Sequence, residues 1–451
     1  MNKSVDGAGQ DSNPQTTRRG YAWFVVALLM AAHVLSYVDR QILNLMVGPI
    51  RADLGISDTE MSLLMGFSFA LFYTICGIPL AWWADRGSRR KLIALGAFAW
   101  SLATAASGLA QRYGHLLAAR IGVGVGEASL SPAAYSLITD YFPRERRATA
   151  ISLFGTGVYI GSGVAFLLGG AVIHYANTHA LPSLPLIGTP RPWQFVFLLL
   201  GVAGALFSAV LLAIREPVRS GGKPAAAPFA VLLGEWRASA PTLLCHHFGF
   251  ALIAVATYGS AAWIPSYLIR LHQWTPAQVG IWYGGAVAVF GTLGVLLGGV
   301  IADRLQKRGV GDATLRVGIF AALAAIPCTV LFLLADGRAL IVAAMAPAVF
   351  FFSMPFGVAP AGLQEVVAPA VRAQASAIYL FVLNMLGLGF GPLAVALATD
   401  YVFGNDLAVG HSLLLVCVSA PALAAVLLVL GLAPFRASLA RQQAIAKLTA
   451  A

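Results

Sequence analysis

The sequence predicts an all-α membrane protein with twelve transmembrane helices arranged as two parallel six-helix halves. Three observations lead there. Only 10% of the 451 residues are charged and 59% are hydrophobic, with a mean hydropathy of +0.80, whereas a soluble domain carries about 25% charged residues. Twelve apolar runs each reach the roughly 20 residues that a helix needs to cross a bilayer. The charged marks that close runs two and four recur at runs eight and ten. This composition excludes an ordinary cytosolic enzyme, a disordered scaffold and a nucleic-acid binder.

The runs span 21–49, 61–84, 92–111, 115–142, 148–174, 194–214, 241–270, 277–302, 315–335, 339–366, 374–400 and 412–434. They are continuously apolar rather than alternating, which excludes a membrane β-barrel. Gly and Pro inside them are tolerated where neighbouring helices satisfy the freed backbone groups. Residues 1–20 are polar and read as a cytoplasmic tail. The run after them is too long for a signal-peptide core and has no small-residue cleavage site, so it stays as the first span. The expected units are 21–214, a linker over 215–240, 241–434 and a cytoplasmic tail over 435–451. Within the linker, 229–236 reads as a short interfacial helix. Cys76, Cys245, Cys328 and Cys417 sit in apolar runs with no CxxC spacing and read as small buried hydrophobes.

Charge placement sets the expected orientation. With the N-terminus inside, 22 basic residues fall in cytoplasmic segments, against 5 in outside loops and helix ends: Arg51, Arg112, Arg191, Arg270 and Arg338. The positive-inside rule then puts both termini in the cytoplasm. The net charge of +11 reflects basic loops facing an anionic leaflet rather than nucleic acid. Short loops, and no Asn-x-Ser/Thr site outside the membrane, point to a bacterial inner membrane.

The repeat fixes the architecture. Run two ends in Ala84-Asp85-Arg86 followed by Arg89-Arg90-Lys91, and run eight ends in Ala302-Asp303-Arg304 followed by Lys307-Arg308. Run four ends with Asp140, Pro143 and Arg147; run ten ends with Glu365, Pro369 and Arg372. Matching marks on one membrane face mean a parallel repeat, because an inverted repeat would place them on opposite faces. Two parallel six-helix halves are the arrangement of the major facilitator superfamily.

The loop Asp85-Arg86-Gly87-Ser88-Arg89-Arg90 resembles that superfamily's signature Asp-Arg-x-Gly-Arg-Arg, with Ser88 in place of Gly. Tyr37-Val38-Asp39-Arg40 in run one and Arg120-Ile121-Gly122-Val123-Gly124-Val125-Gly126-Glu127-Ala128 in run four, together with Ser88, resemble the Spinster branch. The glutamate after the glycine run is the more discriminating mark, since transporters of small organic anions share the Asp-Arg pair. The resemblance implies proton-linked transport of lysophospholipid- or sphingolipid-type substrates. Residues 161–170 resemble the superfamily's antiporter motif, but Ala165 and Phe166 replace its Gly-Pro, so that motif supports no inference of antiport.

Only four acids or arginines lie deep in a span: Asp39, Arg40, Arg120 and Glu127. Each costs at least a few kcal/mol in lipid, so each is expected to face a partner or a water-filled cavity. At 1.5 Å per residue they sit about 27, 28, 33 and 22 Å from the cytoplasmic helix ends, close enough for one cluster. The plainer reading is a permanent neutral ion-pair network. The functional reading assigns Asp39 and Glu127 to proton coupling. Arg40 and Arg120, which cannot deprotonate, would then tune the acids and bind an anionic headgroup.

Asp85, Arg86, Asp140 and Arg147, with Asp303, Arg304, Glu365 and Arg372 in the second half, are expected to form a cytoplasmic gate. Asp85 can cap a helix or pair with Arg147, and Arg86 can reach Asp140; topology alone would also retain the basic residues. The second half supplies no deep charge. Its candidate cavity wall is apolar and aromatic: Thr257, Tyr258, Trp263, Met354, Phe356, Asn384 and Met385, facing Tyr37 across the cavity. His33, His246 and His247 read as satisfied hydrogen-bonders.

A charged half opposite an apolar half suits a small amphipathic substrate. No HExxH, phosphate loop or Ser/His/Asp grouping points to an enzyme or to ATP-driven transport, so the expected protein is a monomeric secondary transporter without cofactor, metal or nucleic-acid partner. A transporter of small organic anions or drugs is the alternative, followed by a lipid-modifying membrane enzyme.

Overall fold

The computed structural model describes residues 14–183, 188–217 and 229–450. Most of the expected polar tail and the linker segment 218–228 lie outside the described residues. The described chain is helical. We label its spans α1 (Gly20–Leu45), α2 (Asp58–Arg86), α3 (Arg89–Ser107), α4 (Tyr113–Glu127 and Leu130–Tyr141), α5 (Thr149–Thr178), α6 (Pro192–Leu211), α7 (Leu233–His272), α8 (Pro276–Lys307), α9 (Ala313–Leu333), α10 (Arg338–Val366), α11 (Gln374–Phe403) and α12 (Asp406–Ile445). All twelve expected runs coincide with helices. Among the described residues, ten are long and apolar enough to cross a membrane. The other two are α3, which opens on Arg89-Arg90-Lys91, and α4, which is interrupted at Ala128-Ser129.

Two expected boundaries differ. The helix containing α7 starts at Phe229 and runs unbroken for 44 residues, so 229–236 is the first part of that span rather than a separate interfacial helix. The helix containing α12 continues to Ala450. The two extensions pack together, with Arg441 Nη2 on Glu235 Oε2 at 2.8 Å. Of the cysteines, Cys417 is buried, while Cys76, Cys245 and Cys328 are half-buried rather than in the core.

α1–α6 form the first half and α7–α12 the second. We call the face carrying residues 87–88 and 212–217 the terminal face, and the opposite one the distal face. Close approach of glycines builds the seam between the halves. A Cβ on Gly163 of α5 would lie 2.6 Å from Ala288 of α8, and one on Gly66 of α2 would lie 2.4 Å from the Leu388 carbonyl of α11. Phe166, which replaces the expected Pro, packs against Tyr283 across the same seam with ring centroids 5.0 Å apart.

Apolar packing is continuous between the halves at the distal end, where Ile42, Leu43 and Leu64 belong to one cluster with Trp263, Ile264 and Leu268. Toward the terminal face the first half keeps a cluster of its own around Val25, Leu29, Leu92, Leu137 and Phe154. Burying this surface contributes about 25 cal/mol per Å², so the packing favours closure at the distal end.

Candidate transport site

Each buried charge is delivered by a helix that had to bend or approach closely to place it. The glycines of α4 let it press against α3: a Cβ at Gly126 would sit 2.7 Å from the Trp100 backbone nitrogen. The helix then breaks at Ala128-Ser129, where Ser129 Oγ donates to the Gly126 carbonyl at 2.8 Å. Glu127 is the last residue before the break and points inward with 1% exposure.

Adjacent residues on a helix point about 100° apart, and this divides the four charges into two pairs. Asp39 turns into the first half. Arg120 Nη1 lies 3.4 Å from its Oδ1, and Thr104 Oγ1 donates to its Oδ2. Arg40 turns toward the centre, where its Nε donates to Glu127 Oε2 at 2.6 Å. Ser36 Oγ donates to the same oxygen at 2.6 Å. The guanidinium carbon lies 4.8, 4.4 and 4.9 Å from the ring centroids of Tyr37, Phe69 and Tyr73. Each such contact is worth about 0.5–2 kcal/mol.

The pairs are unevenly satisfied. Glu127 Oε1 and Arg120 Nε and Nη2 are buried without a hydrogen-bond partner. Orphaned buried groups cost about 1–3 kcal/mol each and mark places where a proton, water or ligand atom can be taken up.

A small cavity lies beside Arg40, lined by Arg40, Gln41, Asn44 and Phe69, with Tyr37 and Tyr258. A second, larger cavity adjoins it and shares Tyr37, Gln41 and Tyr258 as wall; about 900 Å³ including its open mouth, it runs past Thr257 and Phe356 into the second half and reaches Phe332 on α9 and Cys417 on α12. Of the expected wall residues, Tyr37, Thr257, Tyr258 and Phe356 line it. Trp263 and Met354 are instead buried in the second half, with Trp263 Nε1 donating to the Pro392 carbonyl at 2.9 Å. Asn384 and Met385 are half-buried on α11, away from the lining. Sequence reasoning missed Tyr159, Ser162 and Phe166 on α5 and the deep residues on α9 and α12. Spacing alone gives no signal that a cavity penetrates a bundle.

Two of the three histidines bond backbone carbonyls as expected, whereas both ring nitrogens of His247 are buried without a hydrogen-bond partner. His33 Nδ1 bonds the Phe154 carbonyl at 3.1 Å, His246 Nε2 bonds the Ala359 carbonyl at 2.9 Å, and His247 packs edge-on against Trp236 and Tyr379.

At the terminal face, Arg89 rather than Arg86 lies beside Asp140: Arg89 Nη1 donates to Asp140 Oδ2 and to Ser136 Oγ, the latter at 3.0 Å. Arg86, in the last turn of α2, stacks on Trp82 at 4.1 Å. Arg147 Nε donates to the Phe142 carbonyl at 2.9 Å, and Asp85 is not without a partner. Ser88 caps α3 and donates to Glu216 Oε2 at 2.8 Å, so the departure from glycine is a helix cap. Glu216 also accepts from the Arg90 amide at 2.9 Å and Arg89 Nε at 2.8 Å. Partial burial pushes its carboxyl up, but these donors outweigh it and hold the pKa below the usual range. Glu216 was not singled out from the sequence; it lies two residues beyond run six. In the second half, Gln306 donates to Glu365, while Asp303, Arg304 and Arg372 are exposed.

Residues 29–392 match the family model described as Major Facilitator Superfamily. The chain belongs to the Major Facilitator Superfamily. It is a multi-pass membrane transporter of that family and not an enzyme. It is 30% identical over 399 residues to an "MFS-type efflux pump" of Mycolicibacterium smegmatis, covering 87% of this chain and 89% of that one. It is 28% identical over 298 residues to a "Probable L-galactonate transporter" of Escherichia coli, covering 63% of this chain and 62% of that one. A crystal structure of a bacterial homolog to the human lysosomal transporter Spinster, in an inward-facing and unoccupied conformation, matches with a TM-score of 0.76 at 26% identity. That match covers 95% of this chain and 97% of the other. The Spinster resemblance of the helix-one and helix-four motifs thus extends to the whole fold.

Proposed function

We propose that this chain is a proton-coupled secondary transporter that moves an amphipathic, lipid-like anion by alternating access. In this reading it is a monomer in the inner membrane with both termini cytoplasmic, so the distal face is external. The observation that supports the reading is the polarity of the two adjoining cavities: an arginine backed by a buried acid in one, and an apolar recess running to α9 and α12 in the other. A headgroup phosphate or carboxylate pairs with Arg40, and a hydrocarbon tail fills the recess.

Glu127 couples the proton. Ionised, it holds Arg40 Nε through Oε2. A proton taken up on the bare Oε1 removes its charge, weakens that pair and leaves Arg40 free for the substrate anion, while the three rings keep the guanidinium in place. The four-charge cluster is neutral with both acids ionised and gains one positive charge per proton. Anion and proton therefore bind together, which favours co-transport. Asp39, paired with Arg120 deeper in the first half, sets the field that Glu127 feels. The contacts of Asp85, Arg86, Asp140 and Arg147, with Asp303, Arg304, Glu365 and Arg372, form the cytoplasmic gate that closes in the opposite state.

The galactonate-transporter relative favours a second reading, a small organic anion bound at Arg40 with the recess unused. Flux in proteoliposomes under an imposed pH gradient, with lysophosphatidylglycerol and galactonate compared, decides between them. Gradient-driven lysolipid flux supports the first reading. Galactonate flux alone supports the second, and no pH-driven flux of either anion rejects both.

A further inference from the structure

Four charges at the distal face join the two halves. Arg270 at the end of α7 grips Asp58 at the start of α2 through both Nη atoms, at 2.7 Å each. Arg51, on the short helix Val47–Leu54 that precedes α2, grips Asp406 at the start of α12 at 2.7 and 3.3 Å. Among the described residues these are the ion pairs that cross between the halves. Each charge also has a partner of opposite sign in its own half. Arg51 Nη1 already lies 2.9 Å from Asp58 Oδ1, and Arg270 Nη1 already donates to the Asp406 carbonyl at 3.3 Å. The Asp58 side chain is fully buried.

We infer that Arg51, Asp58, Arg270 and Asp406 form a partner-exchanging latch: the pairs run across the halves when the distal face is closed and within each half when it opens. The reason is the cost of separating charges. A buried carboxylate stripped of its only arginine is destabilised by several kcal/mol, which would weld the face shut. Here each half carries one arginine and one aspartate of the latch, so parting leaves an arginine–aspartate pair in each half rather than four lone charges; Asp400, whose carboxylate lies within 4.8 Å of those of Asp58 and Asp406, stays with the second half. The cross-half pairs therefore favour closure without making opening prohibitive.

The latch carries its own reporter. Thr59 is the second residue of α2, where an amide has no intrahelical acceptor. Its N–H donates instead to Asp400 Oδ2 of α11, across the seam, at 2.7 Å. Hydrogen exchange at this amide reads distal opening directly.

The inference rests on the alternating-access reading above, but its readout needs neither substrate nor a proton gradient. The experiment is hydrogen exchange of the Thr59 amide in nanodiscs, with thermal unfolding recorded for every variant. Asp58→Asn should speed exchange about tenfold or more, because both arginines lose their shared carboxylate. Exchanging Asp58→Arg with Arg270→Asp keeps the cross-half pairs but sets like charges together within each half, so opening is penalised and exchange should fall below wild type. Inverting all four (Arg51→Asp, Asp58→Arg, Arg270→Asp, Asp406→Arg) restores opposite charges within each half and should make exchange faster than in the two-residue swap; Asp400, left in place beside residue 58, holds the rate at or below that of wild type. If the two-residue exchange does not fold, the inversion compared with the Arg270→Ala/Asp406→Ala pair, which should speed exchange, carries the test. Wild-type exchange in Asp58→Asn would overturn the latch. So would a folded inversion that exchanges no faster than the two-residue swap, or exchange in the folded two-residue swap that is faster than wild type.

Discussion

The two halves repeat one helical plan but divide the labour. The first half holds Asp39, Arg40, Arg120 and Glu127 in its interior, while the second lines the cavity with Thr257, Tyr258, Phe332, Phe356 and Cys417. At the terminal face, by contrast, both halves use ion pairs to join helices. Glu216, Arg89 and Asp140 knit α3, α4 and the end of α6 together in the first half. In the second half, Asp312 pairs with Arg316 at 2.6 Å and with Arg436 of α12 at 3.6 Å, and Glu235 of α7 pairs with Arg441 of α12 at 2.8 Å. A duplicated bundle can thus keep its packing while one copy retains ionisable chemistry and the other retains volume.

The strongest way to break this comparison is Glu127→Gln. The amide keeps the shape and cannot take up the proton, so pH-driven flux in proteoliposomes should fall to background while the protein stays folded. Wild-type pH-driven flux in this variant would make the charged half purely structural. Asp39→Ala acts on the other pair. It leaves the fully buried Arg120 uncompensated and should cost about 3–5 kcal/mol of stability, seen as a lowered unfolding temperature, whereas Arg40→Ala should cost less, because the buried Glu127 it strips can shed its charge by binding a proton and Arg120 cannot lose its own.

The apolar half is tested by filling its recess. Val349 of α10 lines the recess, and Val349→Trp should lower lysolipid flux several-fold and leave flux of a compact anion such as galactonate nearly unchanged. Equal loss for both would mean that the recess is not a separate tail site.

The smallest effect is expected at Glu216. Its folded pKa lies below the unfolded value, so its contribution is fully present above the unfolded pKa of about 4.3 and disappears as pH falls through the folded value. Glu216→Gln should lower the unfolding temperature slightly at pH 6, with the difference from wild type vanishing in acid. Because the group is about a third exposed, solvent screening keeps the effect small. A difference that grows toward acid pH would reverse the assigned sign.

Span count, the repeat and the identity of the four buried charges were legible in the chain because a bilayer penalises every unpaired polar group. Apolar length and rare charges therefore carry unusual information. Less was legible where the outcome depends on direction. The repeated mark made Arg86 the expected partner of Asp140, but Gly87 and Ser88 turn the chain so that Arg89 arrives there. Trp263 and Met354 had the right chemistry for a cavity wall and fell on faces turned into the bundle.

The sequence by itself determined that this chain crosses a membrane as two parallel repeats, and that one repeat keeps two acids and two arginines in a medium that tolerates them only for a reason. Only the tertiary structure decided how those charges pair. Asp39 and Arg40 are neighbours in the chain but about 100° apart around the helix, so one closes on Arg120 and the other on Glu127 beside the cavity. It also decided that Asp58 and Arg270, 212 positions apart, meet at the distal face. No local pattern encodes that meeting, which follows from the angle at which the two bundles come together.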